Sequence, residues 1–278
     1  SIGRGGNITM TGPVVQNNNF LEARGGTFGG IVTVTSSVGS VTIDSTTNSR
    51  GFSIDTSGAV KAGNITINSA TSMNFGAGID SSAVVQGVAG ITGVSGGNVN
   101  LNVTGTGNIL FNSATAGNYI STQGSLGNGG NINISINQTA QNASVDNYSG
   151  ILNANDVFGC CATGGFNTST VSGKGGDVNV SIANGNLGYF GAGGKTNVIT
   201  INATSTNDVG GNVRVSSPGS INVSWATNVN GTTGGNIGFD AGNNLTNAGT
   251  LNANGTFADG GLVSLHAVNN LSNAFITA

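Results

Sequence analysis

Charged side chains are scarce in this sequence. Asp, Glu, Lys and Arg make up 6% of the 278 residues, against about 25% in an average globular protein. The formal net charge is −3, so no strongly basic surface is available for nucleic acid or anionic lipid. No apolar run approaches the roughly eighteen residues that a membrane-spanning helix needs. We therefore expect no nucleic-acid partner and no membrane insertion.

Residues that hold metals or perform catalysis are also few. The chain has one histidine, His266, and two cysteines. The ten acidic residues are dispersed and form no close pair for calcium binding or for acid and base roles. No Cys/His spacing typical of a metal site surrounds His266. We expect no cofactor, no metal and no catalytic residues.

The two cysteines, Cys160 and Cys161, are adjacent and lie in the longest interval between repeated motifs. One interpretation is that they are small residues in a protruding loop. The other is a disulfide or a cross-link to a neighbouring subunit, which an extracellular setting would permit. The sequence leaves both open.

Glycine is abundant, at 50 residues, while proline occurs twice. Such a composition with low charge is typical of flexible chains, but here the aliphatic residues are ordered. The segment 129–137 reads Gly-Gly-Asn-Ile-Asn-Ile-Ser-Ile-Asn. A glycine pair is followed by strict alternation of apolar and polar residues, which predicts a strand with one buried face.

This motif occurs nine times along the chain, so the sequence predicts a repeat protein. The first apolar residue of each copy should form a stacking core column: Ile8, Val32, Ile65, Val99, Ile132, Val178, Val213, Ile237 and Val263. The polar residue before it should form a turn column of asparagines: Asn7, Asn64, Asn98, Asn131, Asn212 and Asn236.

The spacing of the copies predicts the fold. The first glycine positions of successive copies are 5, 29, 62, 96, 129, 175, 210, 234 and 260, where position 62 holds alanine. Intervals of this size suit coils of three short strands. Second strands are predicted at 40–43, 72–75, 108–111 and 220–223, and third strands at 52–55, 119–121 and 150–153. We expect an all-β parallel β-helix, a β-solenoid of nine or more coils with a roughly triangular cross-section and essentially no helix.

Simple stacking rules should hold the coils together. Like aliphatic residues should stack at about 4.8 Å, filling the interior without large aromatics, which form 5% of the chain. Asparagine amides at the corners should bond one coil to the next. The glycine pairs should supply positive φ angles. We expect one domain over 1–278, with a protruding insertion around 137–174.

The segment 120–134, Ile-Ser-Thr-Gln-Gly-Ser-Leu-Gly-Asn-Gly-Gly-Asn-Ile-Asn-Ile, resembles the repeats of filamentous-haemagglutinin-type exoproteins. These are bacterial two-partner secretion and autotransporter passengers. The resemblance covers nearly the whole chain. It implies a right-handed coil, export to the cell surface or exterior, and a role as adhesin, fibre or scaffold. The family's amino-terminal secretion domain is not recognisable, which places this segment in a shaft or makes it a separate protein.

Two main functional classes follow. In the first, the chain is an extracellular structural subunit that stacks head to tail on itself, because both ends read as continuing strand material. In the second, it is a shaft segment of a large surface adhesin, with cell-surface carbohydrate as a further partner. A polysaccharide-acting β-helix enzyme is a remote alternative. An ice-binding face is disfavoured because Arg214 and Gly238 interrupt the outward threonine series.

Overall fold

The structure is a computed structural model that describes residues 3–44, 51–83, 93–111, 119–137, 148–149, 164–189 and 198–278. Over these residues the chain forms 24 strands. The predicted parallel β-helix is confirmed, because successive strands return to the same sheets in parallel register. No helix occurs in the described ranges.

The first sheet is formed by the strands that follow the glycine pairs. It contains nine parallel strands in sequence order: β1 (Ile8–Gly12), β4 (Val32–Ser36), β7 (Ile65–Ser69), β10 (Val99–Val103), β13 (Ile132–Asn137), β16 (Val178–Asn184), β19 (Val213–Ser217), β21 (Ile237–Ala241) and β23 (Val263–Ala267). Along β4, β7 and β10 buried residues alternate with half-buried ones, as period-two alternation requires.

The second sheet is shorter and covers the early coils. Its four strands are β2 (Val15–Asn17), β5 (Val41–Ile43), β8 (Met73–Phe75) and β11 (Ile109–Phe111). The strands predicted at 40–43, 72–75 and 108–111 are thereby confirmed. Three parallel segments per coil give these windings three faces.

The third sheet runs almost the whole length of the stack. Its strands are β3 (Leu21–Glu22), β6 (Phe52–Asp55), β9 (Gly78–Asp80), β12 (Ile120–Ser121), β14 (Tyr148–Ser149), β15 (Gly164–Asn167), β17 (Leu187–Tyr189), β18 (Val198–Asn202), β20 (Ile221–Asn228), β22 (Leu245–Asn252) and β24 (Leu271–Thr277). The strands predicted at 52–55 and 119–121 are confirmed. The one predicted at 150–153 lies outside the described residues.

The coils change shape towards the C-terminal end. The first two residues of β20 pair with β17, whereas its last five pair with β18. One eight-residue strand therefore covers what two strands cover earlier, and the strand predicted at 220–223 extends to Asn228. The corner between the second and third faces has been removed. The glycine pairs are also closer here than in the middle coils, 24 residues apart from 210 to 234 and 26 from 234 to 260.

Aromatic side chains occupy the interior of the middle coils. Phe75 and Phe111 stack with ring centroids 5.0 Å apart, and Tyr119 lies 5.3 Å from Phe111. Further along, Trp225 packs edge-on against Phe239. All five are fully buried. The expectation of an interior without large aromatics is therefore wrong. Rings stack between coils as aliphatic chains do, and they fill wider sections of the core.

Candidate functional site: the open terminal coils

The first apolar residues of the nine motifs lie in one continuous column. Cα register joins Ile8 to Val32, Val32 to Ile65, and so on to the pair Ile237 and Val263. The seven interior members are 0–1% exposed. The two end members, Ile8 and Val263, are only partly buried. The column is therefore sealed along its length and open at each end of the described stack.

The C-terminal coil exposes apolar side chains whose register partners in the preceding coil are buried. Leu271 is 51% exposed and Ile276 is 49% exposed, while their register partners Leu245 and Leu251 are at 0%. Phe275 beside them is 72% exposed. Leu271 and Ile276 occupy core slots with nothing stacked beyond them, whereas Phe275 follows the half-buried Thr250 in register and lies at an outward slot. Exposed contiguous apolar surface of this kind marks an interaction site.

Asparagine side-chain amides bond one coil to the next, as expected, and their partner is mainly the main chain of the next coil. The Oδ1 atom of Asn98 accepts a hydrogen bond from the main-chain N–H of Asn131, at 2.9 Å. The same bond repeats along the column, except from the second coil to the third, where Ile31 has no side-chain acceptor. Amide-to-amide contact is a minor addition, as between Asn236 and Asn212. The side chain thus satisfies a corner N–H that no strand ladder reaches.

One member of this column is not an asparagine and was not predicted. Asp177 takes the place of asparagine, and its Oδ1 accepts the N–H of Asn212 at 2.8 Å. Lys174 lies 3.1 Å from the same carboxylate. A rung needs only an acceptor oxygen, which aspartate supplies as well as asparagine. The series ends at Leu262, whose N–H still bonds to Asn236 but whose side chain offers no acceptor to a further coil.

Removing one rung in the middle of the stack should lower stability measurably. In an Asn98→Ala variant the N–H of Asn131 loses its acceptor in a part-buried corner. We expect the free energy of unfolding to fall by about 1–2 kcal/mol, measured by urea denaturation followed by circular dichroism. The matched control is Asn98→Asp, which keeps the oxygen as Asp177 does. An equal loss in both variants would contradict the role of the acceptor.

The glycine pairs serve close backbone packing and not the positive φ angles expected for them. The described glycines with positive φ are Gly51, Gly93, Gly173, Gly185 and Gly188, none of them in a motif pair. A Cβ atom added at the second glycine of a pair would instead overlap the carbonyl oxygen of the equivalent glycine one coil earlier. Neighbouring backbones approach so closely at this corner that no side chain fits between them.

Two acidic residues that look unrelated in sequence are neighbours on the third face. Asp55 and Asp80 are in Cα register on adjacent strands, and both are buried. Each Oδ1 accepts the main-chain N–H two residues later, at Ser57 and at Ser82, as aspartate does in turns. The recurring triplets Asp-Thr-Ser and Asp-Ser-Ser at 55–57 and 80–82 were the available sequence signal.

The single histidine lies on the outward face of the last strand of the first sheet. His266 Nδ1 is 2.8 Å from Asp240 Oδ1, and both side chains are more than half exposed. Among the described residues no group of three or more His, Cys, Asp or Glu could hold a metal ion. In the same ranges no helix is both long and apolar enough to cross a membrane.

Cys160, Cys161 and most of the insertion predicted around 137–174 lie outside the described residues. Within this range the structure describes 148–149, where β14 pairs with β17 in the antiparallel sense. It also describes 164–174, which begins with β15, a strand that pairs in parallel with β12 and β18 in the third sheet. The proposed cross-link therefore remains a prediction.

The outward face of the first sheet carries a regular polar pattern. Asn133 Nδ2 donates to Asn100 Oδ1, and Asn179 Nδ2 donates to Asn133 Oδ1, each at 2.9 Å. Threonines precede these asparagines at the same slot in earlier coils. This surface is uncharged over several coils, whereas the open ends of the stack expose core aliphatic side chains.

Compared with protein-family models, with curated proteins and with solved structures, the chain gives no match.

Proposed function

We propose that this chain is an extracellular, non-catalytic structural protein whose subunits stack head to tail into a fibre. The observation that carries the proposal is the open core at the C-terminal coil, where Leu271 and Ile276 are about half exposed although their register partners in the preceding coil are fully buried. Covering them with another coil would remove apolar surface from water and extend the parallel sheets. Contact between unlike ends does not close on itself, so it generates an open filament.

The exterior location is supported by composition and by the resemblance to secreted repeat proteins. Few Lys and Arg residues leave few sites for trypsin-like proteases. Stacked coils with paired backbones protect the remaining peptide bonds.

The second candidate is a shaft segment of a large surface adhesin of filamentous-haemagglutinin type. Further coils of a longer polypeptide would then cover the open ends. The uncharged asparagine and threonine face supports this alternative, because amides and hydroxyls in regular rows can bond to the hydroxyl groups of cell-surface carbohydrate. A polysaccharide-acting enzyme has less support, since the buried pair Asp55 and Asp80 bonds within its own turns.

Sedimentation velocity and negative-stain electron microscopy of the 278-residue chain in reductant test the proposal. We expect concentration-dependent filaments. An Ile276→Lys variant should stay monomeric, because the charge enters the slot that the next coil must cover. The control Leu126→Lys changes a side chain that is 43% exposed but lies in a mid-chain turn, and it should assemble normally. Monomeric wild-type rods at high concentration would reject the fibre.

A further inference from the structure

We propose that the junction between two copies has one fixed register, in which the glycine pair of the last coil stacks on the glycine pair of the first coil. In this register Asp259 of one copy lies beside Arg4 of the next. The inference rests on the proposed fibre and specifies the contact that forms it. Three features of the terminal coils support it independently: a column of residues ahead of the glycines, the ends of the core columns, and the space around Gly6.

The residue before each glycine pair belongs to a hydrogen-bonded column. The first glycine of a coil donates its N–H to the carbonyl of the pre-glycine residue one coil later, from Gly5 to Phe28 at 2.8 Å through Gly234 to Asp259 at 3.1 Å. Bridges between Arg4, Phe28 and Lys61 confirm the alignment. The members in order are Arg4, Phe28, Lys61, Ser95, Asn128, Lys174, Val209, Thr233 and Asp259. The next rung would join Gly260 N–H to the Arg4 carbonyl of a second copy.

This column begins with a cation and ends with an anion. Arg4 and Asp259 are both exposed within one chain, and continuing the column puts their main chains one strand spacing apart, about 4.8 Å. Opposite charges on adjacent strands attract and favour this register over those that separate them. Within the single chain the guanidinium of Arg4 lies over the ring of Phe28, the next member of the same column, at 5.1 Å.

The same register joins the open ends of the core. Val263 and Leu265 would stack on Ile8 and Met10, since these residues occupy equivalent slots of the first sheet. On the third face, register pairs lead from Leu21 at the first coil to Ile276 at the last, so these two would also meet. Val263, Leu265 and Ile276 at one end therefore find aliphatic or thioether partners at the other end.

The open space beside Gly6 supports this register most directly. At every later coil, a Cβ on the second glycine would overlap the preceding coil's equivalent carbonyl, as Gly30 would overlap Gly6 and Gly261 would overlap Gly235. A Cβ atom added to Gly6 would have no neighbouring atom within 4 Å, and Gly6 does not have a positive φ. Its own chain therefore leaves room for a side chain at this position. In the proposed junction, the Gly261 carbonyl of another copy would fill that space.

The junction forms fewer hydrogen bonds than an interior contact. Leu262 has no side-chain acceptor for the N–H of Asn7, as Ile31 has none for the third coil, whereas every asparagine rung does. Pro13 has no N–H, although its equivalents Ser37 and Ala70 donate to the preceding coil. We therefore expect dilution to separate the copies while each coil stack remains folded.

The first test uses alanine at two glycines that both have free space. Gly6→Ala should leave the thermal unfolding of the dilute chain unchanged and raise the critical concentration for filaments by at least about tenfold, because its methyl overlaps the incoming carbonyl. Gly238→Ala, also with nothing within 4 Å but on the outward face, should assemble as wild type. Normal filaments from Gly6→Ala would overturn the register while leaving the fibre intact.

The second test reverses the charges. Arg4→Glu and Asp259→Arg should each assemble poorly alone, because every junction then carries like charges, with a critical concentration raised about tenfold. An equal mixture should recover filaments, because the two variants can alternate along the fibre. The unchanged Asp259 of one variant then meets the unchanged Arg4 of the other, and the introduced arginine meets the introduced glutamate at the next junction. High salt should reduce the difference. Failure of the mixture to recover would overturn the Arg4 to Asp259 contact, whereas failure of the wild type to assemble would reject the fibre itself.

Discussion

An alanine at Gly63 should prevent this chain from reaching its native stability. The added Cβ would overlap the carbonyl oxygen of Gly30 on the preceding coil, and that obstacle is main chain and cannot rotate away. The two coils would have to move apart, which breaks the adjacent pairing of β4 with β7. We expect the free energy of unfolding to fall by about 3 kcal/mol or more, measured by urea denaturation under dilute conditions.

Gly238→Ala serves as the control for this substitution. It introduces the same methyl group in the first sheet, at an outward slot with open space around it. Its stability should equal or exceed that of the wild type, since alanine restricts the unfolded chain more than glycine does. Equal stability of the Gly63 and Gly238 variants would show that the corner backbones are not in the close contact described above.

Replacing Trp225 by alanine should cost about 3–5 kcal/mol. Trp225 is fully buried and packs edge-on against Phe239, with ring centroids 6.3 Å apart. Its removal leaves a cavity in coils whose β-ladders hold them at a fixed spacing, so collapse around the gap is limited. Circular dichroism during urea denaturation measures the loss.

The matched control for Trp225 is Phe257→Ala, which removes an aromatic ring that is 89% exposed. We expect that variant to stay within about 0.5 kcal/mol of the wild type. A comparable loss in both variants would indicate that the interior of these coils is not packed around the tryptophan.

The main sheet could be predicted from the sequence because its signal is local. Alternation after each glycine pair fixes which side chains point inwards, and nine repetitions fix the register between coils. Ile132 and Val178 are therefore aligned by their motifs even though 46 residues separate them. The same logic located the second and third strands of the early coils.

Other features depended on tertiary contacts that composition does not reveal. A low aromatic fraction averaged over the chain concealed the placement of Phe75 and Phe111 in one interior stack. A glycine pair can serve either a positive φ angle in a turn or the close approach of two backbones. The sequence does not distinguish these roles, because the neighbouring backbone comes from another coil. The longer strand β20 did leave a signal, since apolar residues alternate from Ile221 through Trp225 without a glycine.

The candidate site was predictable only in outline. Strand-like termini suggested that the ends could be joined, but sequence alone did not show that Arg4 and Asp259 begin and end one column. That relation depends on following the hydrogen bonds from Gly5 to Gly234 through every coil. The space beside Gly6 likewise appears only when its surroundings are compared with those of Gly30.

A cryo-electron microscopy reconstruction of the assembled chain tests the central claim most directly. It should show the coils continuing without interruption from one copy to the next, with β23 of one subunit pairing in parallel with β1 of its neighbour. Rods that meet side by side, or that pair through any other edge, would contradict this account.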